Sequence, residues 1–570
     1  MEYFQKKYLK NNVLRKILIL VFFLLLSIAL TYPLWHVHRM TAFSDWSFHA
    51  SRVQEIFLNL KRHNIFTFIA SSTFNSTGVA SFLFYPTIFL YPWAFLRFVF
   101  SPISSYYVWY TCFNFLTLII AYLCMKDTSK SDRRAIIFAL LYTLSARRIY
   151  LGVTGYVLGE FIASTFLPLA FFGIYKIFYT KNHDWIMLSI GMSLIVYSHI
   201  LSVFITVQFL TIFVLIQLFR KKITFKIFKN LLKAIFLTFG LSLGIIFPFL
   251  TDYIGHNIEG PRSGVLILES ASDFVQQSLA NSSSGMSIGI VLLIILLTGW
   301  ILFNKFNFVD KIMYISAIFA CIFSTSIFPW MLISNSVFGV IQLPWRYLSY
   351  ACLFLAIIGS KIMTAEYWLT SYFTKCLALL VMIVCFISYF GAVQNQVKEN
   401  SVVQKSYLKK NTVGLKQIPI SVQLNNSNYN YQFGYSVKNG ETDYYPNKAF
   451  KYAKSIQKHI VIIDGNRRKK ITPSPMSNGI MYAVRLKHDS KIDIPVLKYS
   501  NTIVFDNGKA VSSRTSYRDT PIINGKRGVN SIVVKYIPSR FFYVLIAIPI
   551  LLWILIFTKV VLSIKVMHRN

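Results

Sequence analysis

Charged residues are scarce in this chain, and acidic residues are the scarcest of them. Asp, Glu, Lys and Arg make up 14% of its 570 residues, whereas apolar residues make up 55%. Because a soluble protein carries roughly a quarter charged residues, this composition excludes a soluble globular protein and indicates an integral membrane protein. The 58 Lys and Arg outnumber the 21 Asp and Glu. Much of this excess lies in short segments between apolar runs, which is typical of membrane topology rather than of nucleic-acid binding.

Motifs that mark nucleotide-driven enzymes are also missing. The chain has no P-loop, Rossmann glycine pattern, Ser-His-Asp spacing or zinc signature, which argues against ATP-driven chemistry and favours a substrate already activated on a lipid carrier. No cysteine lies in the long polar region, so we expect neither a structural disulfide nor a CxxC metal site. The six cysteines, all in or beside apolar segments, are Cys112, Cys124, Cys321, Cys352, Cys376 and Cys385.

The apolar runs predict a polytopic α-helical membrane protein with about twelve transmembrane helices. The first run, 17–35, is long enough to cross a bilayer, and the basic residues before it place the N-terminus in the cytoplasm. It is too long for the apolar part of a signal peptide, so we expect it to be retained. The remaining spans are expected at 103–125, 135–149, 157–178, 185–199, 200–219, 231–250, 286–303, 311–329, 347–363, 375–393 and 541–562.

The same charge bias predicts the loops. The segment 82–100 is apolar but contains two prolines, and if it crossed the membrane the basic stretch 126–134 would lie outside. We therefore expect 82–100 to be re-entrant or interfacial, within an outer loop at 36–102 that also holds an interfacial helix at 46–60. The predicted domains are a transmembrane domain at 1–393, an extracytoplasmic β-rich domain at 394–540, and a last helix with a cytoplasmic tail at 541–570.

Residues 394–540 differ in pattern from the rest of the chain. Alternating apolar residues predict strands and Asx-Gly pairs predict turns, so we expect a small antiparallel β domain. It holds 25 Lys and Arg against 8 Asp and Glu, a net charge of +17. Because the positive-inside rule does not govern long translocated domains, an anionic envelope polymer or lipid head groups are the expected partners. A general basic bias of the organism's surface is the alternative. The strands are expected at 460–463, 481–485, 502–505 and 531–536, and the turns at 464–466, 506–508 and 524–525.

Ionisable side chains in or beside a membrane are costly and mark functional sites. On the predicted topology, acids, imidazoles and guanidinium groups converge at the outer face, whereas the cytoplasmic loops offer no comparable mixture. We therefore expect a reaction centre that faces outward. The converging residues are Asp45, His49 and Arg52 in the first outer loop, Arg147 and Arg148 at the end of the third span, Glu160 at the start of the fourth, His199 between the fifth and sixth, Arg346 after Pro344 and Trp345, and Asp252, Glu259 and Arg262 in another outer loop.

Three of these side chains are candidate catalytic residues. Asp45 could act as a general base toward an acceptor hydroxyl, or it could cap the helix that follows it. His49 comes one helical turn later and would share a face with Asp45, although a lone histidine is commonly structural. Glu160 could act in a cavity, or it could be a favourable negative charge at a helix N-terminus.

Five further side chains are candidates for substrate binding. Guanidinium forks match phosphate oxygens, so Arg346 with Arg147 or Arg148 could hold a phosphate or diphosphate. The alternative for these arginines is snorkelling to the membrane interface. Arg52 lies in the same loop as the candidate base, and His199 could contact the substrate or be a packed polar residue.

Several short motifs resemble those of known membrane proteins. Residues 43–49 resemble the acidic first-loop motif of GT-C membrane glycosyltransferases. Residues 155–160, 198–199 and 341–346 resemble motifs of bacterial membrane proteins labelled "6-pyruvoyl-tetrahydropterin synthase-related", which are close to the YfhO-like group. Nothing in the chain resembles a soluble pterin enzyme. The segments similar to the YfhO-like outer β domain are 494–499, 505–508 and 533–538.

The resemblance implies a GT-C-like fold and a specific reaction. A sugar would pass with inversion from a polyprenyl-phosphate carrier to a cell-envelope glycopolymer, a teichoic acid or polysaccharide, and Asp45 would be the catalytic base. Metal-dependent GT-C enzymes often have paired acids, whereas one acid stands in this motif, so no metal ligand is assigned and a divalent cation stays open as a cofactor. The alternatives are a transporter or flippase of lipid-linked saccharides, for which we see no internal repeat, and a non-catalytic envelope assembly protein.

Overall fold

The protein combines a bundle of apolar helices with a β-rich domain that precedes the last helix. The computed structural model describes residues 2–181, 183–254, 258, 266–364, 371–401, 408–410 and 416–567. The α-helices are α1 (Glu2–His36), α2 (Trp46–Lys61), α3 (Ser81–Phe84), α4 (Tyr91–Leu96), α5 (Pro102–Ser129), α6 (Asp132–Thr143), α7 (Ala146–Ile149), α8 (Leu158–Tyr179), α9 (Ile186–Val196), α10 (Ile200–Phe219), α11 (Phe225–Pro248), α12 (Ala271–Leu279), α13 (Ile290–Ile301), α14 (Phe308–Phe323), α15 (Leu348–Ile362), α16 (Ser371–Ser401), α17 (Asn447–Lys451), α18 (Ala453–Gln457) and α19 (Arg540–Met567). The strands are β1 (Arg39–Phe43), β2 (Ser421–Asn425), β3 (Ile460–Ile463), β4 (Arg467–Lys470), β5 (Ser474–Met476), β6 (Gly479–Leu486), β7 (Ser490–Asp493), β8 (Thr502–Asp506), β9 (Lys509–Val511), β10 (Arg514–Thr515), β11 (Pro521–Gly525) and β12 (Gly528–Tyr536).

Each of the twelve predicted spans overlaps a helix, and 135–149 overlaps both α6 and α7. The part of the chain that the structure describes contains seven helices long and apolar enough to cross a membrane. The pair α6 and α7, with the π-helical turn that continues it to Thr154, is bent by 48° and makes an eighth span if it is counted as one. A polytopic α-helical membrane protein with a β-rich domain before its last helix is therefore confirmed. The seven long spans are Val13–His36, Pro102–Ser129, Leu158–Tyr179, Ile200–Phe219, Phe225–Pro248, Ala378–Ser401 and Arg540–Leu562.

The other predicted spans are shorter helices. The helices α9 and α13 have 11 and 12 residues, and α14 and α15 have 16 and 15. At 1.5 Å per residue, even α14 covers only about 24 Å, less than the ~30 Å of a bilayer core. Residues 348–360 of α15 are all buried, so this helix lies inside the bundle, where the sequence cannot distinguish a buried apolar helix from a lipid-facing one.

The apolar part of the first loop forms short helical pieces instead of one long helix. Between residues 81 and 96 the chain forms α3, a short 3₁₀ turn at Ile88–Leu90, and α4, so 82–100 is not a continuous helix. Pro86 lies between α3 and the 3₁₀ turn. Pro92 lies in the first turn of α4, where a helix tolerates proline. The helix predicted at 46–60 is α2, but its residues 46–57 are all buried. It is therefore a packed helix rather than one lying open at an interface.

Two five-stranded antiparallel sheets form the centre of the β-rich domain, by which we mean residues 416–536. Their strand orders are β10-β11-β7-β3-β4 and β5-β6-β12-β8-β9, and Ile480, Val484 and Ile532 are among the side chains buried between them. The predicted strands correspond to β3, β6, β8 and β12. Two of the predicted turns also form, between β3 and β4 and between β8 and β9.

The third predicted turn is wrong. Asn524 and Gly525 end strand β11, where they pair with Lys491 and Ser490 of β7. The chain leaves one sheet only afterwards, and β12 belongs to the other sheet. The Asn-Gly pair therefore marks the end of a strand before a crossing between sheets, instead of the tip of a hairpin.

The β-rich domain is joined to the first loop by direct strand pairing. The strand β2 lies antiparallel to β1, with Met40 opposite Leu424 and Ala42 opposite Val422. β1 ends two residues before Asp45. The pairing therefore brings the beginning of the β-rich domain next to the motif that the sequence singled out.

Candidate active site

A cavity of about 840 Å³ lies where the first loop, the helical bundle and the β-rich domain meet. We call it the central cavity. It brings together four residues predicted from the sequence: Asp45, His49, His199 and Arg346. The other residues that line it are mainly aromatic and apolar, with Tyr85, Tyr150, Tyr253, Trp345 and Tyr444 among the aromatic ones and Asn439 and Asp443 among the polar ones.

Asp45 is half-buried at the start of α2. It occupies the N-cap position, but its side chain makes no capping hydrogen bond. The carboxylate of Asp45 therefore does not cap α2. Its Oδ1 instead accepts a hydrogen bond from Asn439 Nδ2 at 3.2 Å and a longer one from Ser44 Oγ at 3.4 Å. Burial raises the pKa of Asp45, while the bond from Asn439 and the charge of Arg346 oppose that rise. A carboxylate tuned in this way suits proton abstraction.

His49 lies one turn along α2, as its spacing predicts, and also lines the central cavity. Its side chain is 2% exposed, and its Nδ1 has no hydrogen-bond partner among the described residues. Burial, followed by the nearby charge of Arg52, holds the pKa of His49 well below its usual value. Its surroundings therefore favour the neutral form of the imidazole.

Glu160 is placed differently from Asp45. It lies in the first turn of α8 and forms a buried ion pair with Arg147, in which Nη2 is 2.6 Å from Oε1. Ser349 Oγ donates to the same oxygen at 2.6 Å, and Arg147 also donates to the carbonyl of Gly285 at 2.7 Å. Neither Glu160 nor Arg147 is among the residues that line the central cavity. The geometry therefore favours a supporting ion pair, and a catalytic role for Glu160 stays a prediction.

Arg52 and Arg148 are also buried behind the cavity wall. Arg148 donates to Ser164 Oγ and Thr117 Oγ1 at 2.5 and 2.9 Å. Arg52 Nη2 donates to the carbonyls of Tyr85 and Pro86 at 2.7 and 2.8 Å. The guanidinium of Arg52 stands 4.5 Å from the Tyr85 ring centre, and its Nε and Nη1 have no hydrogen-bond partner among the described residues.

His199 and Arg346 lie on the wall of the central cavity. His199 precedes α10, and its Nδ1 lies 2.8 Å from Ser202 Oγ. Arg346 lies on a 3₁₀ turn, Pro344–Tyr347, and donates through Nη1 to the carbonyl of Ile341. Arg346 is therefore held through Nη1, while its Nε is buried without a partner among the described residues.

Sequence reasoning missed the contribution of the β-rich domain to this cavity. Asn439 and Gly440 form a dipeptide that signals a turn, but nothing in the sequence indicates that this turn faces Asp45, which is 394 positions away. Among the predicted outer-loop residues, Glu259 and Arg262 lie outside the described residues, as does the side chain of Asp252. Within the described part of the chain, no group of three or more His, Cys, Asp or Glu could hold a metal ion.

The comparisons with known proteins found similarity among solved structures. No protein-family model matches the chain, and no curated protein matches it. The chain is similar to a solved structure described as "Crystal Structure of ArnT from Cupriavidus metallidurans bound to Undecaprenyl phosphate". The match covers 74% of this chain and 86% of that chain, with 10% sequence identity and a TM-score of 0.43.

Proposed function

We propose that the protein is a GT-C-type membrane glycosyltransferase that moves a sugar from a polyprenyl-phosphate carrier to a cell-envelope glycopolymer on the outer face of the membrane. One observation carries the proposal. Asp45 and Arg346 line the same cavity, and neither is in an ion pair with another described residue. A general base and a phosphate ligand are the two groups that such a transfer requires.

The chemistry assigns one role to each group. Asp45 removes the proton from an acceptor hydroxyl, and the hydroxyl oxygen then attacks the anomeric carbon of the donor sugar. The bond from that carbon to the carrier phosphate breaks on the opposite side, so the configuration inverts and the carrier phosphate leaves with the electron pair. Arg346 stabilises the charge that develops on the phosphate through charge-assisted hydrogen bonds.

The arginines around the cavity favour an anionic donor. Among the described residues, Arg147 has a carboxylate partner, whereas Arg52, Arg148 and Arg346 lie in no ion pair. Buried guanidinium groups without counter-ions are costly. A phosphate brought in by the substrate would lower that cost, which supports a substrate-binding role for Arg346, the one of these three that lines the central cavity.

A second cavity supports a lipid-linked donor. This apolar cavity has a volume of about 440 Å³ and lies between the first loop, α11 and α19. Its walls are almost wholly apolar, with Phe82, Ile245, Ile546 and Trp553 among its lining residues, and Tyr85 lines both cavities. A carrier could therefore place its prenyl chain among the helices and its phosphate in the central cavity.

The β-rich domain suits a polyanionic acceptor. The strand β4 is at the edge of its sheet, and its four residues, Arg467, Arg468, Lys469 and Lys470, are all exposed. Such a row of cations attracts phosphate or carboxylate polymers and also protects the sheet edge from pairing with another chain. We propose that an anionic envelope polymer binds to these residues. We also propose that the N-terminus and the C-terminus of the protein are both in the cytoplasm.

The test is a conservative substitution at the proposed base. Asp45→Asn keeps the size of the side chain and its contact with Asn439, but it removes the basic group. We expect loss of envelope glycan decoration in cells that express only this variant, with unchanged membrane insertion. Asp489→Asn is the matched control, because Asp489 is exposed on the β-rich domain, does not line the central cavity, and its contacts with Lys526 and with the backbone N–H of Arg527 are themselves exposed. Normal decoration with Asp45→Asn would contradict the proposal.

A transporter is the second candidate, and the same variant separates it from the enzyme. If the protein moves lipid-linked saccharides without chemistry, Asp45→Asn should change their distribution across the membrane of reconstituted vesicles. If the protein is an enzyme, Asp45→Asn should leave the lipid-linked sugar unconsumed on the side of the membrane where the wild-type protein uses it. A non-catalytic assembly protein should respond to neither measurement.

A further inference from the structure

We propose that residues 436–445 of the β-rich domain, which we call the capping loop, form part of the reaction centre, and that Asn439 is a positioning residue for the carboxylate of Asp45. The proposal rests on the proposed function, because the role of Asp45 as a base comes from it. The contacts that carry the proposal lie between the β-rich domain and the first loop of the membrane domain.

The contact between Asn439 and Asp45 determines how the carboxylate is presented. Asn439 Nδ2 donates to Oδ1 at 3.2 Å, and the other bond to the carboxylate, from Ser44, falls on the same oxygen. No donor from the described residues bonds to Oδ2. One oxygen is thus held by the protein while the other is available to accept a proton from a substrate.

The capping loop is docked on the first turn of α2 by two further contacts. The backbone N–H of Lys438 donates to Ser47 Oγ at 2.9 Å. Gly440 has a φ of +80°, and a Cβ built on it would lie 2.9 Å from the ring of Phe48. Only glycine combines this backbone conformation with so close an approach. Both contacts involve residues two and three positions after Asp45.

Glu441 ties the loop to the first loop of the membrane domain. Its carboxylate accepts hydrogen bonds from the backbone N–H of Val437 at 2.9 Å and from Asn75 Nδ2 at 2.7 Å. Asn75 Nδ2 also donates to Ser436 Oγ at 2.7 Å. The loop is therefore closed on itself through Glu441 and attached through Asn75, so the position of Asn439 is determined by anchors on both sides.

Asn439 itself is exposed and lines the central cavity, and its exposure separates positioning from folding. An exposed side chain that packs against no core contributes little to stability. Its amide, in contrast, stabilises the charged form of Asp45 directly. Loss of the amide should therefore change how Asp45 titrates while the protein stays folded.

The experiment measures the protonation of Asp45 without any sugar substrate. Dicyclohexylcarbodiimide reacts with protonated carboxyl groups, so its adduct at Asp45, measured by peptide mass spectrometry on the full-length protein in detergent, falls as pH rises through the pKa. We expect Asn439→Ala to move the midpoint upward by about one pH unit, as loss of one hydrogen bond to a charged group implies. Asn439→Asp has nearly the same shape but adds a negative charge, so its midpoint should move further up.

Two controls make the result specific. Asn447→Ala removes an exposed amide elsewhere in the β-rich domain and should leave the midpoint unchanged, and Asp45→Asn should abolish this adduct. An unchanged midpoint in both Asn439→Ala and Asn439→Asp would overturn the proposal. If the midpoint shifts but Asp45→Asn cells keep normal glycan decoration, the contact is real and the proposed glycosyltransferase function is wrong, so the two failures are distinguishable.

Discussion

Arg147 and Glu160 form an ion pair that is buried on both sides, with side chains 1% and 5% exposed and a distance of 2.6 Å from Nη2 to Oε1. The pair joins α7 to α8, and Ser349 at the start of α15 donates to the same carboxylate oxygen. Three helical segments therefore meet at one charge pair. The sequence predicts substrate binding for Arg147 and catalysis for Glu160, whereas their geometry indicates a shared role in positioning helices.

The first prediction separates structure from catalysis at Glu160. Removing one partner of a buried pair leaves an uncompensated charge and costs about 3–5 kcal/mol, so we expect Glu160→Gln to lower the thermal unfolding midpoint in detergent markedly. The double variant Arg147→Met with Glu160→Leu should recover much of this loss. The exposed pair Asp489 and Lys526 is the control, and Asp489→Asn should have little effect on stability. Unchanged unfolding of Glu160→Gln with loss of activity would instead favour a catalytic carboxylate.

The second prediction concerns Gly440 in the capping loop. Gly440→Ala introduces both a strained positive φ and a collision with Phe48, so we expect the loop to shift and glycan decoration to fall at least tenfold. Gly465→Ala is a matched control, because Gly465 has a φ of +78° but nothing within 4 Å of a built Cβ. Its backbone strain should cost about 1 kcal/mol without affecting activity. Equal effects of the two substitutions would mean that contact with Phe48 is unimportant.

The third prediction follows from the burial of Glu441, which raises the pKa of that carboxyl from 4.5 to about 7. A carboxyl with a raised folded-state pKa favours folding most below pH 4.5, and this contribution is lost as the pH rises through 7. Glu441→Gln stays neutral throughout. We therefore expect the variant to gain roughly 2–3 kcal/mol of stability relative to wild type between pH 4.5 and 8. Thermal unfolding of both proteins at these two pH values measures this difference. A pH-independent difference would contradict it.

Local pattern in the sequence was sufficient to predict part of the site. The spacing of Asp45 and His49 predicts a common helical face, and both residues do line the central cavity. The apolar runs, and the basic segments between them, predict where the helices lie. This works because each run or segment falls within a single helix or loop. The packing of α15 inside the bundle could not be predicted, because buried and lipid-facing apolar helices have the same composition.

Contacts between distant elements were beyond prediction for a physical reason. Asn439 meets Asp45 only because β2 pairs with β1 and because Glu441 closes the capping loop. None of these contacts leaves a periodic signal in the chain. Similarly, Asn524 and Gly525 have the residue types of a turn, but their pairing with β7 keeps them in a strand. Tertiary context decided both cases.

The fourth prediction concerns membrane orientation, on which an outward-facing site depends. The basic segment 126–134 should be cytoplasmic and the β-rich domain extracytoplasmic. In a cysteine-free background, Ser129→Cys should not react with an impermeant thiol reagent on intact cells, whereas Ser512→Cys in the β-rich domain should react. Permeabilised cells should label both. Strong labelling at residue 129 of intact cells would mean that 82–100 crosses the membrane after all.

The last prediction is that Arg346 binds the carrier phosphate. The 3₁₀ turn and the bond to the Ile341 carbonyl hold its guanidinium at the cavity wall, and its buried Nε has no partner among the described residues. A buried N–H without an acceptor is unfavourable unless a ligand supplies one. Lysine keeps the charge but cannot form the planar fork, so Arg346→Lys should weaken binding of undecaprenyl phosphate about tenfold, which corresponds to ~1.4 kcal/mol.

Arg346→Ala should weaken that binding further, because it removes the charge as well as the fork. Arg485 lies on the exposed side of β6. Arg485→Lys is therefore the control for an Arg-to-Lys replacement outside the cavity, and this variant should bind undecaprenyl phosphate as wild type does. Titration of the detergent-solubilised proteins with undecaprenyl phosphate measures all three affinities. If Arg346→Ala binds as tightly as wild type, the residue is an interfacial anchor, and the phosphate must be held by Arg52 or Arg148 behind the wall. Since those two guanidinium groups do not line the central cavity, that outcome would also require the wall to open when the donor enters.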